Sequence, residues 1–221
     1  MTDINDIPLL PVVVERLEEI AKDVYILEFL RVFDFEAGQV IKLAWFDEME
    51  PRLYSIASGQ NDKNIQLIFN VVDDGILTPR LASVKPGDKL YATKAFGKFT
   101  CGEGPACWIA AGTGIAPFSS MLRSGIGQDK ILIHGGKFEE SFYFSGEFET
   151  ALKDNYIRCS SQEKIKGAYY GRLTSYLRES NNLSPALVYY LCGSSGMVVE
   201  TRDILISKGI PFNQIVSEIY F

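Results

Sequence analysis

The chain has 221 residues, 47% of them hydrophobic and 23% charged, with a formal net charge of −6. This is a globular composition with room for one large domain or two smaller ones, and it argues against disorder. An acidic chain without a basic run is a poor nucleic-acid binder, and no apolar stretch approaches the ~20 residues of a membrane-spanning helix.

The opening MTDINDIPLL lacks the basic segment and long apolar run of a secretion signal. Residues 11–95 then read as successive short strands: PVVVERLEE (11–19), VYILEFLRV (24–32), QVIKLAWF (39–46), RLYSIAS (52–58), IQLIFNVV (65–72) and KLYATKA (89–95). They are rich in Val, Ile, Tyr and Phe, and several alternate apolar with polar. Turn signals EAG, SGQND, DDG and KPGD separate them. Six strands so spaced predict a closed antiparallel barrel.

After FGKFTCGEGP (97–105) the rhythm changes to alternating strand and helix. ACWIAAG (106–112), KILIHGG (130–136), YIRCSS (156–161), LVYYLCG (187–193) and NQIVSEIY (213–220) read as strands. A helix from about Ala116, SGEFETALKD, RLTSYLRES and GMVVETRDILISKG read as helices. This pattern predicts a parallel, doubly wound sheet. The expected domains are a barrel over 1–102 and an α/β domain over 103–221.

Cys101, Cys107, Cys159 and Cys192 show no CxxC pair and no iron–sulfur spacing, as expected of reduced thiols in a cytoplasmic protein. The only histidine is His134, read as structural, and no metal site is expected.

Four stretches carry candidate chemistry. In PRLYSIAS (51–58), Arg52 and Tyr54 interrupt an apolar run, and strand alternation puts both on one face. In DDGILTPRLASVKPGD (73–88), Thr78 before Pro79 reads as the N-cap of a short helical turn whose N–H groups suit a phosphate. AAGTGIAPF (110–118) is a strand, a glycine turn and a helix start. Gly112 and Gly114 would clear space for backbone N–H groups to meet a dinucleotide pyrophosphate; a plain strand–helix turn is the alternative. YYLCGSSGMV (189–198) is a second strand–turn–helix, which points Cys192 toward the same crevice as Thr113.

In this order, and with the terminal SEIYF (217–221), these motifs resemble the ferredoxin (flavodoxin)–NADP reductase family, most closely its compact bacterial members, from about residue 10 to Phe221. The resemblance implies an FAD whose ring lies over Tyr54, with Arg52 on its pyrophosphate, Leu53 between them, and Ser55 near flavin N5. Gly75, Ile76, Leu77 and Thr78 would hold the FAD phosphates through N–H groups. It implies NADPH or NADH with its pyrophosphate on Gly112, Thr113 and Gly114, and its nicotinamide bordered by Thr113, Cys192 and Gly193. Tyr220 would cover the flavin on the nicotinamide side, Phe221 would touch the FAD adenine, and Ser55, Cys192, Glu218 and Tyr220 would form the catalytic set. Ser161 and Arg172 match positions that bind the 2′-phosphate in NADPH-specific relatives, and Lys137 stands where relatives commonly carry Arg. Gln162 stands where those relatives carry Arg, and Lys164 and Lys166 read either as compensating charges or as solvated ones. The implied acceptor is a ferredoxin or flavodoxin. Alternatives are free flavin, an oxygenase component, or a non-catalytic electron-transfer or nucleotide-sensing subunit.

Overall fold

The computed structural model describes residues 7–46 and 49–220, which divide into two units. The first comprises the described residues up to Cys101 together with Ala116–Ser124; the second comprises Gly102–Ile115 and the residues from Gly125 onward.

The first unit is a six-stranded antiparallel sheet of β1 (Leu10–Ala21), β2 (Val24–Leu30), β3 (Val40–Ala44), β4 (Arg52–Ser55), β5 (Asn64–Asn70) and β6 (Lys89–Ala92), in the order β4-β3-β6-β1-β2-β5. Strand alternation sets its faces: Val12 and Val14 of β1 are buried while Val13 and Glu15 are exposed. β1 serves two neighbours, pairing β6 through Leu10–Val13 and β2 from Val14 onward. Its register with β2 shifts between Val14 and Arg16 and again between Glu19 and Ala21. Beyond β4, an antiparallel bridge joins Ile56 to Leu67, and the Ala57 N–H donates to the Gln66 carbonyl at 2.8 Å. These bonds link the two edge strands of the sheet.

The core of this unit gathers Leu27, Phe29, Ile41, Leu43, Ile65, Leu67 and Leu90, and is covered by α1 (Thr78–Leu81) through Leu77, Leu81 and Val84. Helix α2 (Ala116–Arg123) belongs to the same unit although it follows a second-unit strand in sequence. Its Phe118 ring meets Phe99 edge-on at 5.8 Å. Its Arg123 guanidinium donates to Gln66 Oε1 at 2.6 Å and to the Ala57 carbonyl at 3.2 Å.

The second unit is a parallel six-stranded sheet of β7 (Ala106–Ala111), β8 (Lys130–Gly136), β9 (Tyr156–Ser160), β10 (Tyr169–Tyr170), β11 (Val188–Ser194) and β12 (Ile215–Tyr220), ordered β10-β9-β8-β7-β11-β12. All but the last residue of β7 are buried, as a central strand covered on both faces requires. On one face, α4 (Leu173–Glu179) and α5 (Ser195–Ser207) pack Leu173, Leu177, Val198 and Leu205 over Cys107, Ile109 and Ile133. A Cβ on Gly135 would meet the Leu173 side chain at 2.4 Å, so the glycine sets how closely α4 approaches β8. The helix α3 (Ser145–Leu152) contributes the buried Phe148, which stacks at a tilt on Tyr156 of β9. The direction of strand progression reverses between β7 and β11, the switch point at which open α/β sheets bind ligands.

Two local readings need correction. Thr78 is not an N-cap. Leu77 holds that position with helical dihedrals, and the Thr78 hydroxyl instead accepts from the Val72 N–H at 2.9 Å. The strand β10 was not anticipated. It is two residues long and exists because the parallel register with Cys159 and Ser160 holds it, not because of its own pattern.

Candidate functional site

In the first unit, β4 pairs with β3 in the register Leu43–Arg52, Ile41–Tyr54 and Val40–Ser55. Arg52 and Tyr54 therefore share a face, while Leu53 is well exposed on the other and Ser55 is buried. The Arg52 side chain is 56% exposed, and its guanidinium lies 3.1 Å from the carboxylate of Glu50, itself 80% exposed. Such a surface pair contributes at most about 1 kcal/mol, so a phosphate can replace Glu50 at little cost. Tyr54 is half-buried, its ring edge-on to Phe69 at 6.4 Å. Burial pushes its phenol above the usual range, and the Arg52 charge pulls it only part of the way back. The ring is thus a neutral platform at any working pH.

The segment Gly75–Thr78 lies between β5 and α1. The Gly75 N–H donates to the Val72 carbonyl at 2.8 Å, so this donor is engaged within the chain. Leu77 turns its side chain into the core, and Ile76 is 69% exposed.

In the second unit, Gly112–Ile115 forms a 3-10 turn immediately after β7. Gly112 has φ +57° with open space where a Cβ would stand, as an approach by a ligand requires. Gly114 has a packing role of its own. A Cβ there would stand 2.4 Å from the Cys192 carbonyl oxygen and 2.8 Å from Gly193 Cα. Its missing side chain admits the end of β11. That packing brings the turn carrying Thr113 onto Cys192 and Gly193. Gly193 is itself closely packed, by Met197 and the Ala111 backbone.

Cys192 is fully buried, flanked in register by Ala110 of β7 and Glu218 of β12. Burial first, and the Glu218 charge second, hold its thiol well above the ordinary range, against a hydrogen bond with Tyr220. Three of the four residues read as catalytic, Cys192, Glu218 and Tyr220, therefore meet at the carboxyl ends of β11 and β12. The thiol among them stays protonated and shapes the site without acting as a nucleophile. Ser55, the fourth, belongs to the first unit. Phe221 lies outside the described residues.

Along the other direction from the switch point, the ends of β8 and β9 are zipped together. The Ser161 N–H and hydroxyl both donate to the Gly136 carbonyl, at 3.0 and 3.2 Å. The Gln162 N–H donates to the Lys137 carbonyl at 3.0 Å, and the Glu139 N–H to the Glu163 carboxylate at 2.8 Å. Arg172 stands at the N-cap of α4 with its side chain exposed. The sequence reading missed Tyr170, which ends β10 beside these residues and is 55% exposed, with the Lys164 ammonium 5.4 Å from its ring centroid. The paired tyrosines of KGAYYGR, bracketed by glycines, were the available signal.

His134 is buried on β8, its Nδ1 3.0 Å from the Tyr156 hydroxyl and its ring edge-on to Phe142 at 5.2 Å. Desolvation, helped by the charge of Arg158, lowers its pKa to about 3, so it is a neutral core residue. All four cysteines are buried and none is in a disulfide.

Comparison with known proteins agrees with this geometry. A family model described as the oxidoreductase NAD-binding domain matches residues 108–203. The flavodoxin/ferredoxin–NADP reductase of Shigella flexneri is 30% identical over 196 residues, covering 77% of this chain and 79% of its own. Ferredoxin–NADP reductase B of Sorangium cellulosum is 29% identical over 213 residues, covering 86% and 87%. Among solved structures, a ferredoxin NADP+ reductase from Neisseria gonorrhoeae with bound FAD and NADP has the same fold, with a TM-score of 0.87 at 22% identity over 96% of this chain and 99% of that one.

Proposed function

This chain belongs to the ferredoxin/flavodoxin–NADP reductase family, and on that premise we propose that it is an oxidoreductase holding FAD on its first unit and a nicotinamide dinucleotide on its second. The edge-strand links at Ile56–Leu67 and Ala57–Gln66 support reading the first sheet as a closed barrel that carries the flavin on β4. When bound, FAD supplies an acceptor for hydride from the nicotinamide and a donor of single electrons to a ferredoxin or flavodoxin.

The chain's residues fit such a group. Arg52 offers a planar fork of donors to a pyrophosphate, restrained only by an exposed carboxylate. Tyr54 offers a flat, neutral ring two residues along the same face. Ser55 is the hydroxyl assigned to the reacting edge of the flavin. On the second unit, the open Gly112 position and the half-buried Thr113 suit the dinucleotide pyrophosphate. Cys192 and Gly193 wall the nicotinamide end without bringing a charge to it. Glu218 is the nearby group assigned to hold a proton, and Tyr220 the ring assigned to the nicotinamide side of the flavin. Phe221 is assigned to the FAD adenine. Four buried thiols without a disulfide support a reducing, cytoplasmic setting.

The observation that carries this reading is the Arg52–Tyr54 pair on one face of a short edge strand. Its test is flavin retention. Arg52→Ala should lose flavin on gel filtration, whereas Arg16→Ala, which breaks a surface pair with Glu18 on β1, should keep it. Full flavin occupancy in Arg52→Ala would remove the assigned role.

A further inference from the structure

We propose that Arg123, at the end of α2, is a positioning residue for hydride transfer. It touches no cofactor in this account; it clamps the helix that continues the glycine turn to the strand that carries Tyr54 and Ser55. The inference rests on the reading of the two units as flavin and nicotinamide sites. The chain passes from the second unit to the first between Ile115 and Ala116, at the start of α2. Whatever fastens α2 therefore restrains the turn of Gly112 and Thr113 through a covalent junction.

The fastening is polar and lies at the far end of the helix. The Arg123 guanidinium donates to the Ala57 carbonyl at 3.2 Å and to Gln66 Oε1 at 2.6 Å. Ala57 follows Ser55 by two residues and is fully buried, and its N–H donates to the Gln66 carbonyl at 2.8 Å. Arg123, Ala57 and Gln66 thus close a ring of three hydrogen bonds. Gln66 is held from its other end as well, where Nε2 donates to Glu28 Oε1 at 2.9 Å and leaves the amide oxygen turned to Arg123. Beside the ring, the Gln60 N–H donates to Ser124 Oγ at 2.9 Å. Gly59 packs there too: a Cβ on it would stand 3.0 Å from the Arg123 carbonyl oxygen. The apolar side chains that α2 buries, Phe118 and Met121 among them, hold it without direction. A guanidinium fork on two fixed acceptors adds direction. A misplacement of about 1 Å can cost about 100-fold in rate, and this clamp guards against it.

The test is stopped-flow reduction of the flavin-loaded protein by NADPH and by NADH. Flavin content is read by absorbance, and NADP+ and NAD+ affinities by calorimetry. Arg123→Met keeps an aliphatic stem and removes every donor. Its limiting reduction rate should fall by about 5–100-fold, while nucleotide affinity and flavin content stay within about 2-fold of the parent. Arg123→Lys, a point charge in place of a fork, should recover part of the rate. Gln66→Leu should lower the rate in the same way, and adding it to Arg123→Met should cost less than the product of the two losses. Arg178→Ala, which breaks a surface pair with Glu200 between α4 and α5, should leave the rate unchanged. Should Arg123→Met not fold, Arg123→Lys and Gln66→Leu decide by the same measurements. A fall of less than about 5-fold, or one that comes only with lost flavin or lost nucleotide affinity, overturns the inference and leaves the functional reading standing. A flavin-loaded parent that neither nucleotide reduces overturns the functional reading, and the inference with it.

Discussion

Replacing Gly114 with alanine should injure the second unit in a way that replacing its neighbouring glycines does not. The new Cβ would lie 2.4 Å from the Cys192 oxygen, 2.6 Å from the Cys192 carbonyl carbon and 2.8 Å from Gly193 Cα. All three are backbone atoms of a central strand, so no side chain can swing away. To regain ordinary contact the turn must move by about 1 Å, at an overpacking cost of about 1–3 kcal/mol. For a protein of this size that lowers the melting temperature by about 2–4 °C per kcal/mol. The same shift displaces Gly112 and Thr113, and a 1 Å misplacement of a binding loop costs up to about 100-fold in catalytic efficiency. Two controls separate packing from generic glycine effects. In melting, Gly112→Ala meets open space and bears only the strain of φ +57°, about 1 kcal/mol. Gly196→Ala meets open space near the start of α5 and should be neutral or slightly stabilising. In a Trp45→Phe background, fluorescence of the buried Trp108 on β7 reports the melting of this unit alone. NADP+ affinity is read by calorimetry on the same samples. A Gly114→Ala protein that melts with its parent and binds NADP+ equally well would refute the reasoning.

Other outcomes follow from the same geometry. His134 is held neutral in the fold with a pKa of about 3 against an ordinary 6.5, so the unfolded chain takes up this proton first as pH falls. Its contribution to stability is complete above about pH 6.5 and is lost at about 1.4 kcal/mol per unit down to about pH 3. Urea midpoints measured across that window should show a steeper decline in the parent than in His134→Gln; identical slopes would contradict the assignment. Because the Tyr54 phenol is already neutral, Tyr54→Phe should retain flavin almost as well as the parent, while Tyr54→Ala should lose it. A Phe variant as depleted as the Ala variant would show that the hydroxyl, not the ring, holds the flavin. Removing Tyr220 and Phe221 should alter nicotinamide affinity more than flavin content, and unchanged pyridine-nucleotide kinetics would count against the position assigned to Tyr220.

What the sequence revealed depended on whether one segment carried its own signal. The apolar run of β7 and the alternation in β1 did, and both strands form where that pattern predicts. The change of partner and register along β1 left no mark, because it answers to neighbours distant in sequence. Thr78 before proline has the chemistry of a cap, but a competing donor, the Val72 N–H, claims its hydroxyl from six residues upstream. The glycine turn was found as a turn. A motif shows that a side chain must be absent; only the fold shows that at Gly114 the Cys192 backbone stands where a Cβ would be. Helix α2 follows β7 in the chain yet packs with the first unit, through Phe118 and Arg123, whose partners Phe99 and Gln66 no local pattern would identify. The meeting of Cys192, Glu218 and Tyr220 was legible in part, since parallel strands bring their carboxyl ends together.

The central claim is that Arg52 and Tyr54 hold an FAD that a nicotinamide dinucleotide reduces. Anaerobic titration of the purified protein with NADPH, followed by its visible absorbance and by identification of the chromophore that heat releases, tests it most directly. The account predicts a yellow protein that bleaches at near-stoichiometric NADPH and releases FAD. A protein that neither carries FAD nor takes it up from solution, or whose bound flavin keeps its colour with NADPH and NADH alike, would contradict it.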